Sequence, residues 1–270
     1  MVEDAIFFPR GYLESVRPGR RPAGPKSKDD LADTETCFDF AELRPAMLGT
    51  NGSRMAHARH SCRDKHAPVS AERDHLRRAL RQRRRDLPAA RRIAAADALA
   101  ARLLALPFFQ QDVAPDRGYV AGYWAMDGEI ALHAWQMRLP RDCVYCLPVL
   151  GDNELLRFAP WRPGDPLVTN RFGIPEPDIT PSSALAAADM ALVAMPLVGF
   201  DANGTRLGMG GGWYDRSFAF RREAPAPPWL VGVGFDLQRV DALDAQAWDV
   251  RADVICTESS TFTTTTGALA

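Results

Sequence analysis

Apolar and polar positions fall into regular periods only from about residue 70 onward. Before that point prolines, glycines, histidines and charges of both signs follow one another without a helical or alternating repeat, as in Pro-Gly-Arg-Arg-Pro-Ala-Gly-Pro at 18–25. Residues 1–69 are therefore expected to be a disordered or non-native extension, with a start downstream at Met55 as one way it would arise. From Ser70, taken as the N-cap, Leu76, Leu80 and Leu87 recur at helical spacing and predict an amphipathic helix. Pro88 opens a second, alanine-rich helix that stops before Pro107. Short apolar runs then alternate with helical stretches. Strands are predicted at 118–126, 143–150, 155–161, 190–200, 229–235 and 252–257, with helices at 129–139, 183–188, 213–222 and 243–248. The run at 190–200 is apolar throughout, as a strand covered on both faces requires. This alternation predicts one α/β domain over 70–258, a three-layer αβα arrangement around a largely parallel sheet, Rossmann-like in type. Residues 259–270, rich in Ser and Thr, are expected to be a flexible tail.

Composition narrows the classes without choosing among them. At 270 residues with 46% hydrophobic content the chain can bury a sizeable core, and a formal net charge of −1 gives no bulk attraction to nucleic acid or membrane. No apolar run approaches the ~20 residues of a membrane span and no signal-peptide core opens the chain, so a cytoplasmic protein is expected. Five cysteines at irregular spacing make no disulfide framework. Cys143 and Cys146 do form a C-x-x-C, but on a strand residues three apart face opposite ways, so they are read as buried thiols.

The candidate chemistry lies at the end of the long apolar run. Arg206-Leu207-Gly208-Met209-Gly210-Gly211-Gly212-Trp213-Tyr214-Asp215 holds four glycines in five residues, which lets backbone N–H groups close on an anion. Arg206 adds a fixed cation and Asp215 a hard oxygen ligand. The spacing is neither that of a Walker A loop nor of the dinucleotide fingerprint, and the glycines alone are equally those of a flexible turn. A second feature is a stripe of Arg73, Arg77, Arg81 and Arg84 along the first helix. On its own it reads as a solvated basic face, or as like charges whose repulsion an anionic ligand would relieve. No aromatic residue interleaves the nine arginines between Arg73 and Arg92, which argues against nucleic acid. Glu129, after the Asp127-Gly128 turn, stands at the carboxyl end of a predicted strand, where a cap and a ligand group are both possible.

Taken whole, the decapeptide and the preceding Pro196-Leu197-Val198-Gly199-Phe200-Asp201 resemble the signature of the 5-formyltetrahydrofolate cyclo-ligase family. The resemblance extends to Arg73-Asp74-His75-Leu76-Arg77, matching a family Lys-x-x-Leu-Arg with Arg in the first place. It includes a loop, Asn170 to Pro177, that borders the family's active site, and Gln246-Ala247-Trp248-Asp249, and runs in all from about Arg73 to Thr257. It implies ATP-dependent conversion of 5-formyltetrahydrofolate, polyglutamylated forms included, to 5,10-methenyltetrahydrofolate, with Mg²⁺ as cofactor and the enzyme a monomer. It further implies that Arg73, Arg77 and the run from Arg206 to Tyr214 bind ATP. Trp124, Glu129, Met209, Gly210, Gly211, Gly212 and Trp213 would bind the folate, and Asp215 and Asp249 would hold Mg²⁺. Arg206 and Glu129 would carry the catalysis. Two other classes remain compatible with the residues alone: a non-catalytic sensor of a phosphorylated metabolite, and an isomerase or acyl transferase acting on phosphorylated or coenzyme A substrates.

Overall fold

A computed structural model describes residues 67–110 and 118–264; of the extension expected over 1–69, residues 1–66 lie outside them, as does the tail end at 265–270, while residues 67–69 belong to the first helix. Two helices come first, α1 (Ala67–Arg85) and α2 (Ala89–Leu104), then a single turn, α3 (Pro107–Gln110). Helix α1 begins ahead of Ser70, so that residue lies inside the helix and does not cap it. Pro88 sits at the N-cap of α2 with extended backbone, where its missing N–H costs nothing.

The sheet follows. Its strands are β1 (Gly118–Ala121), β2 (Cys143–Leu150), β3 (Leu156–Pro160), β6 (Met190–Pro196), β9 (Trp229–Val233), β10 (Val254–Cys256) and β11 (Thr261–Thr263), in the order β11-β10-β9-β6-β1-β2-β3. The five central strands run parallel, and β3 and β11 close the two edges antiparallel. Two small ribbons stand outside it: β4 (Leu167–Thr169) with β5 (Pro175–Pro177), and β7 (Gly199–Phe200) with β8 (Arg206–Leu207). Helix α4 (His133–Gln136) lies between β1 and β2, and α5 (Trp213–Ser217) follows β8. The chain expected to be loose after residue 258 therefore carries the edge strand β11.

Period-two patterning divides the core between the faces. On β6, Leu192 and Ala194 join α2 and Trp135 of α4 on one side, while Val193 and Met195 meet Phe158 and Phe218 on the other. Cys143 packs with the first group and Cys146 lies in the second, so the two thiols do face opposite ways, and neither forms a disulfide among the described residues. Burial pushes the Cys146 thiol well above its ordinary range, which leaves it inert. Helix α1 covers neither face. It packs through Leu76 and Leu80 on Val198 and Leu207, at the β7–β8 ribbon.

Strand order decides where a ligand can enter. From β1 the chain steps outward to β2, then returns to the other side of β1 to form β6. Two parallel strands that leave in opposite directions open a crevice beyond their carboxyl ends, where open α/β sheets take their ligands. The segments leaving β1 and β6 carry Trp124 and Glu129 in one case and the glycine run in the other. Among the described residues no helix is long and apolar enough to cross a membrane.

Candidate active site

The glycine run is built from β6 outward. Beyond Pro196 the carbonyls of Leu197 and Val198 accept hydrogen bonds from Gln238 Nε2, and Leu197 O also accepts one from Arg84. The β7–β8 turn is set by buried Asp201, whose Oδ1 accepts the N–H groups of Asn203 and Thr205. The chain then leaves β8 with Gly210 at φ +101° and Gly212 at φ +64°, a left-handed region that disfavours a side chain.

Two guanidinium groups converge on this loop. Arg77 Nε donates to Gly208 O at 2.9 Å, and a Cβ built on Gly210 would lie 3.8 Å from Arg77 Cζ. Arg206 is buried; a Cβ on Gly208 would lie 3.3 Å from its Nη1. Arg206 Nη2 donates to Asp215 Oδ1 at 2.6 Å, and its guanidinium lies 5.7 Å from the Tyr214 ring centroid. Its buried Nε has no acceptor among the described residues. The same Asp215 oxygen accepts the N–H of Val250, the residue after Asp249. Asp249 Oδ2 in turn accepts from Arg73 at 3.3 Å and from Gln246 N at 3.0 Å. Arg73, Arg77, Arg206, Asp215 and Asp249, scattered in sequence, thus form one connected group around the loop.

The arginine stripe is not a solvated face. Arg73 and Arg77 hold the partners described above at the rim of the loop; Arg81 Nε binds Asp127 Oδ2 at 2.7 Å, and the fully buried Arg84 binds the same oxygen at 2.9 Å. Asp127 accounts for Arg81 and Arg84 without an external anion. Asp127, read from sequence only as part of a turn, is the hub at this end, and its burial beside Arg84 was signalled by nothing in the periodicity. Burial disfavours its charge, but hydrogen bonds from Arg81 and Arg85 outweigh that and hold its carboxyl below the usual range.

Glu129 lies two residues beyond this hub. The helix expected over 129–139 is absent. Glu129 closes a turn instead, donating its N–H to Met126 O and accepting Met126 N on Oε2 at 3.0 Å; only His133–Gln136 is helical. The Glu129 side chain is largely buried, and burial raises its carboxyl pKa against the pull of Met126 N–H and Arg84. Tyr214 is raised by burial first and by Glu129 second, which places the two within electrostatic reach. Trp124 packs edge-on against Trp161 at 5.8 Å.

The Asn170 to Pro177 loop does meet the glycine run. Phe172 packs edge-on against Trp213 at 5.8 Å, and Arg171 lies over both rings. Asn170 shapes it by accepting the N–H groups of Phe172 and Ile174, and Glu176 ties it to β2 through Leu150 N. Met209 and Phe172 are exposed here, open to a flat apolar ligand.

Mg²⁺ takes hard oxygen donors, and is often held by one or two carboxylates together with substrate phosphates. Asp215 and Asp249 fit that description. Each is partly buried and bonded through a single oxygen, Oδ1 of Asp215 and Oδ2 of Asp249. Among the described residues no group of three or more His, Cys, Asp or Glu could hold a metal, so a cation here would complete its shell from phosphate and water.

Comparison with known proteins identifies the family. Residues 69–258 match the sequence profile of the 5-formyltetrahydrofolate cyclo-ligase family. The 5-formyltetrahydrofolate cyclo-ligase of Haemophilus influenzae is 36% identical over 135 residues, 48% of this chain and 71% of that protein. That of Escherichia coli K12 is 35% identical over 144 residues, 52% and 78% of the two chains. Among solved structures, the 5,10-methenyltetrahydrofolate synthetase of Aquifex aeolicus superposes with a TM-score of 0.60 at 26% identity, covering 73% of this chain and 95% of its own. A profile match across most of the chain, on a fold that gathers the signature residues at its switch point, establishes that this chain belongs to the 5-formyltetrahydrofolate cyclo-ligase family.

Proposed function

We propose that the glycine loop after β8 holds the phosphates of ATP while the crevice beside Glu129 holds 5-formyltetrahydrofolate, so that the terminal phosphoryl group passes to the formyl oxygen. The reaction is the conversion of 5-formyltetrahydrofolate to 5,10-methenyltetrahydrofolate. The N5-formyl group is an amide: its carbon is a poor electrophile and its oxygen a poor leaving group. Forming the oxygen–phosphorus bond breaks the β–γ bridge of ATP and releases ADP. N10 then attacks the activated carbon and gives up its proton to solvent, the carbon–oxygen bond breaks and phosphate leaves with the former formyl oxygen.

Phosphoryl transfer needs positioning and neutralisation of charge more than covalent help. In this reading Arg77, Arg206 and the backbone N–H groups from Gly208 to Gly212 receive the phosphates, with Arg73 beside them on Asp249. Asp215 and Asp249 would hold Mg²⁺, which when bound neutralises phosphate charge. Trp124, Met209 and Trp213 would flank the pterin, and Glu129 would accept hydrogen bonds from its N–H groups. Enzyme, folate and nucleotide suffice, with or without a polyglutamate tail on the folate, for a cytoplasmic monomer with no nucleic-acid or membrane partner.

The observation that carries this is the convergence of Arg77 and Arg206 on one side-chain-poor loop. Protein mixed with Mg-ATP and 5-formyltetrahydrofolate should form the conjugated methenyl product, read by absorbance, with one ADP per product. Methenyl product without ATP cleavage, or no product, overturns the reading.

A further inference from the structure

Helix α1 ends in a cluster that the reaction as written does not use. Asp127 stands at φ +52° and takes three arginines: Arg81 and Arg84 on Oδ2, Arg85 on Oδ1. Its own carbonyl accepts Arg84 Nε at 2.9 Å. The other terminal nitrogen of Arg84, Nη1, lies 3.3 Å from Leu197 O and 3.7 Å from Glu129 Oε1. The second distance is too long for a hydrogen bond. A fully buried guanidinium thus stands between two carboxylates and bonds only one. Glu129 keeps Oε2 on Met126 N, and Oε1 remains outside hydrogen-bond reach of Arg84.

We propose that Asp127 is a positioning residue for the folate subsite: by drawing Arg84 onto its own carboxylate it keeps that guanidinium from closing on Glu129, leaving Glu129 Oε1 for the substrate. This rests on the reading of Glu129 as the group that receives the pterin N–H donors. Three cations are gathered on this one carboxylate. Their arrangement also orders the site, because the three arginines lie within two turns of α1. The same helix presents Arg77 to the glycine loop, so folate and nucleotide ends are set by one rigid element. The groups that bear on Glu129 are Arg81 and Arg84 from α1, Asp127 from its own turn, Tyr123 beyond β1 and Tyr214 from α5. Of these, Asp127 raises the Glu129 carboxyl, and Arg84 and Arg81 lower it.

Asp127→Asn keeps the shape and tolerates the left-handed backbone but loses the charge. Arg84 should then move onto Glu129. The expected result is a KM for 5-formyltetrahydrofolate raised about tenfold, as for a group whose partner site is occupied, with the KM for ATP changed less than twofold. The acid limb of kcat/KM for the folate should also move to lower pH, because a negative neighbour of Glu129 has gone and a cation has drawn closer. Arg81→Gln removes a cation instead, and should move the same limb to higher pH. That opposite sign keeps the idea testable should Asp127→Asn fold poorly. Equal rises in both KM values, or limbs that move together or stay put in the two variants, would overturn the proposal. Glu129→Gln separates the two layers of the argument. If it leaves the folate KM at the wild-type value, the reading of Glu129 fails; if it raises that KM while Asp127→Asn does nothing, only the role of Asp127 fails.

Discussion

The two ends of α1 carry the same residue type at the same spacing, yet they serve different ends. At the amino end Arg73 and Arg77 are partly exposed and reach a carboxylate and a glycine carbonyl at the rim of the loop. At the carboxyl end Arg84 is sealed from solvent and bonds Asp127 and Leu197 O. The difference is dielectric. A rim cation remains able to exchange a protein partner for a phosphate, whereas a buried one is held by the cost of leaving its acceptors unpaired. The amino end is therefore expected to govern turnover, and the carboxyl end stability together with the folate subsite.

Arg84→Met is the strongest test of that division. Asp127 keeps Arg81 and Arg85, but its backbone carbonyl loses the Arg84 Nε donor inside the protein, and a buried acceptor left unsatisfied costs about 1–3 kcal/mol. Urea unfolding should show the loss, and a midpoint within experimental error of wild type would break the comparison. Asp215→Asn acts at the other end. Its amide oxygen can still accept Val250 N, so the fold should survive, but turnover should fall about 10²- to 10³-fold, as for other charge-stabilising groups. Steady-state rates at saturating ATP decide it. Unfolding with little loss of rate would place Asp215 among the scaffold residues.

The scaffold was legible because its signals are local. Buried parallel strands read as apolar runs, and the period-two rule put Cys143 and Cys146 on opposite faces before any coordinates did. The glycine run and its two flanking charges were equally plain. Three predicted helices failed, each because other groups, side chains in two cases and a neighbouring strand's backbone in the third, take the backbone groups that a helix would use. Tyr123 donates to Ile130 O, Leu185 pairs with Phe158 on β3, and the N–H groups of Leu243 and Gln246 go to Asp201 and Asp249. Of those partners only Asp249 and Tyr123 are near in sequence. The burial of Arg84 escaped notice for the same reason, since its acceptors at Asp127 and Leu197 come from segments that only the fold brings together.

A subtler contrast lies within the amino end, between charge and backbone. Gly210→Ala adds no charge and removes none, and the nearest atoms to its new Cβ belong to Arg77 at 3.8 Å, so sterics alone are mild. The cost lies in φ +101°, which an alanine adopts only under strain of about 1–3 kcal/mol. The loop should relax to relieve it. The KM for ATP should rise while the unfolding midpoint falls by a few degrees. An unchanged KM with a lowered midpoint would mean that the loop's conformation matters to the fold and not to the nucleotide.

The smallest effect has the opposite sign and returns to the buried end. Burial raises the Glu129 carboxyl above its ordinary pKa of 4.5 in the folded protein. A carboxyl raised on folding is protonated in both states well below pH 4.5 and contributes no penalty there. Above its folded pKa it is charged in both, and the folded state bears the cost of keeping that charge from water. Glu129→Gln removes the charge while keeping an oxygen that can accept Met126 N. It should therefore melt slightly higher than wild type at pH 7, with the gain shrinking to nothing as the pH falls through 4.5. Asp127 predicts the reverse slope, because its lowered pKa gives stability that is present above 3.8 and lost below. Thermal melts of Asp127→Asn and Glu129→Gln across that range should converge on wild type from opposite sides. If both variants melt lower at neutral pH, Glu129 is a structural carboxylate stabilised by Arg84, and the buried end of α1 holds no group kept charged for the substrate.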